Sequence, residues 1–169
     1  MKSFEAGCKY GRSPVSLRRG NFWSVLWSLQ GVGLSQFFWP VRVYYEDTDS
    51  GGVVYYANYL KFMERARTEY LRQLGFEQDR LRAEQGVLFA VHSVRVDFKR
   101  PARFNDRLEV SAELSDQRRA SLTFFQQVHR HGETAPLCEG QVRIACVDPQ
   151  SFKPVPIPES IRSELLRVC

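Results

Sequence analysis

Two periodicities divide the chain. Tyr59, Met63, Ala66, Tyr70 and Leu74 recur at three- and four-residue steps, joined by Leu60, Phe62 and Leu71, the pattern of an amphipathic helix with a wide apolar stripe. Lys61, Glu64, Arg65, Arg67, Glu69 and Arg72 supply its polar side, and Gly75 stands where a left-handed residue ends a helix. Upstream, Phe37 to Tyr45 (FFWPVRVYY) is aromatic and β-branched and reads as a strand, whose Pro40 assigns its beginning to a sheet edge or to just before the ladder. Downstream, Glu77 to Gln85 reads as a short helix stopped by Gly86. From there the period is two. Val87–Lys99, Asp106–Leu114, Ser121–His129 and Leu137–Val147 are strand-like runs divided by polar turns. A proline-rich extended strap, Lys153 to Pro158, and a terminal helix, Glu159 to Val168, complete the pattern.

One strand, a long helix and then strands in succession is an α+β order. It predicts an antiparallel sheet of about five strands with the long helix against one face, because the neighbouring strands are joined as hairpins. At 169 residues, 43% hydrophobic and 25% charged, the chain has the size and composition of one soluble domain. Residues 1–35 depart from this pattern. They read as disordered, or as an extension upstream of the native start, leaving 36–169 as the single folded domain. The first twenty carry Lys2, Lys9, Arg12, Arg18 and Arg19 against Glu5, so +4 of the net +5 resides there. The near-neutral body argues against nucleic-acid binding and suits an anionic small molecule met through a local basic patch.

The apolar segment Asn21–Trp39 follows basic residues and raises the question of a signal peptide. Gln30, Gly31, Gly33 and Gln36 break it, and it falls short of the ~20 mainly apolar residues that span a bilayer, so no membrane span is expected. Cys8, Cys138, Cys146 and Cys169 are scattered with no C-x-x-C pair, which favours free thiols over a disulfide framework. His129 and His131 flank a hairpin tip rather than cysteines, and D-T-D-S-G-G lacks the spacing of a calcium loop, with Asn58 where that loop needs Glu. No metal and no cofactor is expected.

The chemistry concentrates between Val43 and Tyr70. Glu46, Asp47 and Asp49 precede the pair Gly51–Gly52, and a short apolar run, Val53–Tyr56, leads into the long helix. A glycine turn that opens a helix presents unpaired backbone N–H groups and the positive end of the helix dipole. A carboxylate beside such an end can activate water or attack an acyl carbon while the backbone holds the oxyanion. Aspartate is also favoured in turns and helix caps, so the residues alone leave Asp49 either role. Phe62, Phe89, Phe98 and Phe104 are read as core in preference to an acyl pocket.

The run RVYYEDTDSGGVVYYANY (42–59) is similar to the active-site signature of the 4-hydroxybenzoyl-CoA thioesterase family, and within it is most like the acyl-CoA thioesterases associated with the bacterial Tol-Pal system. The resemblance runs from about Phe38 to Ile161 and includes R-P-A-R and V-D-P…K-P-x-x-x-P. It implies the hotdog fold, a curved antiparallel sheet wrapped around one central helix, and hydrolysis of acyl-CoA to free acid and CoA. Asp49 matches the catalytic carboxylate, Gly52 the turn residue and Tyr56 the backbone oxyanion donor. Arg118, Arg119 and Ser121 match positions at which relatives contact the CoA nucleotide and phosphates. Many close members carry histidine where this chain has Tyr56, which leaves an N–H donor intact and removes an imidazole. The resemblance further implies a homodimer or a dimer of dimers (a homotetramer), and a cytoplasmic location, at most peripheral to the inner membrane. It offers acyl carrier protein or lipid-synthesis enzymes as partners. A non-catalytic acyl-CoA or acyl-carrier-protein binding module on the same fold is the alternative, which the retained Asp49 disfavours.

Overall fold

Met63 and Ala66, fully buried at the middle of the long helix, are covered by a five-stranded sheet. The computed structural model describes residues 37–168; the readings placed on residues 1–35 lie outside them. In chain order the elements are β1 (Phe37–Arg42), a 3₁₀ turn (Tyr45–Asp47), α1 (Tyr56–Gln73), α2 (Gln78–Gln85), β2 (Leu88–Phe98), β3 (Arg107–Gln117), β4 (Ser121–Arg130), β5 (Cys138–Val147) and α3 (Glu159–Val168). The sheet order is β1-β3-β4-β5-β2, with every pairing antiparallel. This is the α+β arrangement that the pattern and the resemblance both anticipate, with α1 packed on β1, β3 and β4.

Cross-strand alternation sorts the side chains into two faces. Leu122, Phe124, Gln126 and Val128 of β4 are buried toward α1, where the Phe124 ring meets Tyr70 edge-on at 5.8 Å. Their sequence neighbours Ser121 and Thr123 therefore belong to the opposite, helix-free face. Gly140 in β5 packs against Met63 of the helix. A Cβ there would lie 3.0 Å from Met63 Sδ and 3.3 Å from Val96 Cγ2, so any side chain would crowd these two neighbours and force them to shift.

β1 and β2 are the edges. Pro40 lies inside β1, opposite Glu109, where an edge strand tolerates a missing N–H. The first strand is shorter than its aromatic run predicts. After Arg42, Val43 still exchanges backbone bonds with Asn105 and Asp106, and then the chain turns because the Asp47 carboxylate accepts the Tyr44 N–H at 2.9 Å. A register shift between Val91 and Ser93 leaves His92 as the extra residue of a bulge in β2. The proline strap docks on the end of β5, where Val155 N–H donates to Cys146 O and Ile157 N–H to Arg119 O.

Two readings need correction. Phe62 is buried and Phe89 packs against the core, but Phe98 and Phe104 are 51% and 44% exposed. Phe98 is the last residue of edge strand β2, and Phe104 lies in a loop, stacked on exposed Tyr45 with ring centroids 4.0 Å apart. Arg67, assigned to the polar side of α1, is 7% exposed. It falls on the same helical stripe as Tyr56 and Leu60, and Gln126 inside the sheet accepts its guanidinium at 2.6 Å.

Candidate active site

The segment between the 3₁₀ turn and α1 is a miniature hairpin. Thr48 pairs with Val54, Asp49 N–H donates to Val53 O at 2.9 Å, and Gly52 N–H donates to Asp49 O at 3.0 Å. Gly52 sits at φ +71°, which costs a residue with a Cβ about 1–2 kcal/mol, although nothing lies within 4 Å of where that Cβ would be. The turn needs glycine for its backbone conformation and not for space. Within the loop the Asp49 carboxylate accepts the Gly51 N–H through Oδ1 at 2.8 Å. That bond fixes the carboxylate's direction and leaves Oδ2 without a hydrogen-bond partner among the described residues. Asp49 is exposed.

Around it the structure is firmly tied. Asp47, buried, uses its carbonyl to accept both the Tyr55 N–H and the Asn58 side-chain amide at 2.9 Å. Val54 N–H donates to Ala102 O, and Tyr59 Oη accepts the Ala102 N–H at 2.8 Å, so the R-P-A-R loop braces the start of the helix from outside. Burial raises the Tyr59 phenol above its ordinary range, with the bond from Ala102 opposing the shift. The first turn of α1 begins at Tyr55 without a side-chain cap. Asn58 N–H turns back to Tyr55 O, while those of Tyr56 and Ala57 have no acceptor among the described residues. The helix therefore opens with free donors at its positive end, beside an oriented carboxylate.

Aromatic rings crowd this end. The Tyr55 and Tyr56 rings lie 4.6 Å apart, and the Tyr55 phenol is raised by its hydrogen bond to Tyr56, with the charge of Asp49 as a smaller contribution. Phe98 stands edge-on to Tyr56 at 6.5 Å and to Tyr59 at 5.5 Å. Tyr56 occupies the first helical position, and the residue is 59% exposed.

The second group of expected residues lies on the helix-free face. Arg118 N–H donates to Ser121 O at 2.8 Å and closes the β3–β4 hairpin, and Arg143 of β5 donates to Ser121 Oγ at 3.2 and 3.3 Å. Arg95, Arg118 and Arg143, with Ser93, Asp116, Thr123 and Gln141, line an open concavity of about 350 Å³. Arg118 is paired with Asp116 at 2.8 Å. Arg119 is exposed and is not among the residues lining this concavity; its carbonyl anchors the strap. Thus Arg118 and Ser121 come together through Arg143, and Arg119 stands apart. Sequence reasoning missed Arg95 and Arg143. Their only signal is alternation, which puts each on the outer face of its strand opposite a polar partner, Gln141 and Ser93 respectively. Asn58 was missed as well, being a polar residue on a stripe read for its apolar members.

Among the described residues no helix is long and apolar enough to cross a membrane.

Residues 43–165 match the model of the thioesterase-like superfamily. The chain is 49% identical over 128 residues to the acyl-CoA thioester hydrolase YbgC of Escherichia coli O6:H1, covering 76% of this chain and 94% of that one. It is 46% identical over 127 residues to the acyl-CoA thioesterase YbgC of Haemophilus influenzae, covering 75% and 92%. A probable thioesterase from Bartonella henselae superposes with a TM-score of 0.69 at 32% identity, over 73% of this chain and all of that one. Sequence and architecture agree, and the chain belongs to the thioesterase-like superfamily, on the hotdog fold.

Proposed function

We propose that this protein is an acyl-CoA thioester hydrolase whose reaction takes place at the open end of α1. The observation that carries the reading is the pairing of an oriented carboxylate with an uncapped helix end. Asp49 is held by Gly51, and the Tyr56 N–H has no partner among the described residues. The thioester carbonyl oxygen accepts the Tyr56 N–H, which strengthens its hold as negative charge develops on that oxygen in the transition state. Gly52 gives the turn that carries Asp49 its backbone conformation.

Asp49 has two routes from there. As a general base it takes a proton from water while the oxygen adds to the acyl carbon; the C–S bond then breaks, and the thiolate leaves and is protonated. As a nucleophile its own oxygen adds to the acyl carbon, the thiolate leaves, and water hydrolyses the resulting anhydride. Single turnover in ¹⁸O water addresses the choice: label in Asp49 supports the nucleophile, and its absence favours the base. Tyr56 in place of histidine removes an imidazole from both routes and leaves the backbone donor.

Arg118 and Ser121, with Arg95 and Arg143, are assigned to the CoA phosphates, since guanidinium forks match phosphate geometry. Arg119 takes the same role from the hairpin tip. The site is completed by a second copy. Edge strand β2 offers unpaired backbone over Leu88–Phe98 and exposes Val91, Val94 and Phe98 beside the helix, an edge that pairing with another β2 would cover. A dimer, or a dimer of dimers, goes with this reading, as does action in the cytoplasm, at most peripheral to the inner membrane. Acyl carrier protein and lipid-synthesis enzymes are the partners that go with it. The direct test is stoichiometric release of CoA and free acid from acyl-CoA esters by the purified protein; binding without release would make it an acyl-CoA binding module.

A further inference from the structure

One buried charge in the molecule has no part in the chemistry above. Arg67 is 7% exposed and lines a small cleft of about 60 Å³ between α1, α2 and the sheet, together with Glu64, Thr68, Gln78, Phe89 and Val91. Its guanidinium has Gln126 Oε1 as acceptor at 2.6 Å and no carboxylate within ion-pairing distance among the described residues. The Gln126 amide is committed elsewhere, to the carbonyls of Met63 and Ser111. Glu64 is near enough to be felt, yet its carboxylate accepts from Thr68, whose hydroxyl in turn takes a bond from Gln78. Burial pushes the Arg67 guanidinium down to about 10, and Glu64 opposes that shift. A buried cation without a counter-ion is costly, and folds keep one where something else compensates it.

The position of the cleft says what that is. Tyr56, Leu60 and Arg67 follow one another along one stripe of α1 at helical spacing, and the eleven residue steps from Tyr56 to Arg67 span about 16 Å of helix axis. The inner face of β2 runs alongside in the opposite direction. Phe98 meets Tyr56 at the open end, and Val91 and Phe89 line the cleft at the other. Between the ends this stripe is apolar and open, with Leu60 38% and Val94 43% exposed. A track that begins at the oxyanion donor, continues over aliphatic side chains and ends at a buried guanidinium matches a chain with a thioester at one end and oxygen at the other.

We propose that Arg67 is a specificity-determining residue that receives the far end of the acyl group, and that the preferred substrates are medium-length acyl-CoA esters ending in a hydroxyl or a carboxylate. This rests on the thioesterase reading. Arg67 donates to the terminal oxygen in either case. The Glu64–Thr68–Gln78 chain can accept from a hydroxyl and disfavours a second negative charge, so the two end groups are distinguishable.

The test compares CoA esters of matched chain length ending in methyl, hydroxyl or carboxylate. The wild type is expected to show kcat/KM at least about tenfold higher for one of the oxygen-ended esters, the size of a charge-assisted hydrogen bond. Arg67→Met is expected to bring the ratio of oxygen-ended to methyl-ended turnover down to about one, and Arg67→Lys to keep part of it. If Arg67→Met does not fold, the wild-type panel decides alone. Turnover of all three esters without preference overturns the inference and leaves the thioesterase reading standing. Absence of turnover on every ester defeats both.

Discussion

The acidic turn and the basic concavity are built in opposite ways. The turn is a contiguous stretch whose backbone is tied at almost every residue: Asp49 to Val53 and Gly52, Tyr55 and Asn58 to Asp47, Val54 to Ala102. The chemistry proposed for it needs one carboxylate and N–H groups that no side chain need supply. The concavity is gathered from β2, β3, β4 and β5, and its chemistry lies in long side chains, of which Arg118 is 63% exposed and Arg95 82%. The first arrangement fixes atoms to the precision that a transition state demands. The second places charge within reach of a flexible, multiply charged ligand, where tolerance is useful and salt screening is expected. Changes in the turn should therefore register in kcat, and changes in the concavity in KM.

The largest effect expected is one that removes both at once. Val94→Lys puts a charge on the exposed inner face of edge strand β2. If the proposed β2-to-β2 dimer forms, the variant should be a monomer by light scattering where the wild type is a dimer, and turnover should be abolished, while circular dichroism remains that of a folded protein. A dimer that persists with full activity would place the interface elsewhere. Next, Gly52→Ala should lower stability by about 1–2 kcal/mol and lower kcat with little change in KM, because the strain falls on the turn that carries Asp49. Arg143→Ala should raise KM by about tenfold and leave kcat within a factor of a few, and the effect should shrink as salt rises. A fall in kcat alone would erase the distinction between the two regions.

The smallest expected effect is a pH dependence of stability. Burial raises Cys138 to about 12 and Cys146 to about 11, and it raises Tyr59 as well. For each, the folded state holds its proton to higher pH than the unfolded chain does, so the unfolded state loses protons first. Stability should hold below about pH 9, the ordinary thiol range, and fall as pH rises through 9–11. Denaturant midpoints from pH 7 to 11 measure it, and a flat profile would contradict the burial of these groups. Tyr59→Phe should cost about 1–3 kcal/mol at neutral pH by leaving the Ala102 N–H without its acceptor.

What could be read from the sequence follows the same division. Every helix and strand after the turn was visible in its periodicity, because a helix packed on one sheet face and hairpin strands with two distinct faces write their burial into the sequence. The turn was legible because its parts are consecutive. Arg95 and Arg143 were not, since two arginines on different strands become neighbours only through register. Arg67 was misread because its charge outweighed its position on the α1 stripe, and Phe98 because an aromatic residue was assumed to be covered. The bulge at His92 left no mark in the pattern, and without it the residues from Ser93 to Phe98 would face the wrong side of the sheet.

The measurement that tests the central claim most directly is thiol release from acyl-CoA esters by the wild type and by Asp49→Ala, with thermal melts of both. A carboxylate acting at the open end of α1 predicts turnover by the wild type and a loss of about 10²–10⁴-fold in the variant at unchanged stability. Equal turnover by the two proteins would show that Asp49 only shapes its turn, and that the reacting group lies elsewhere.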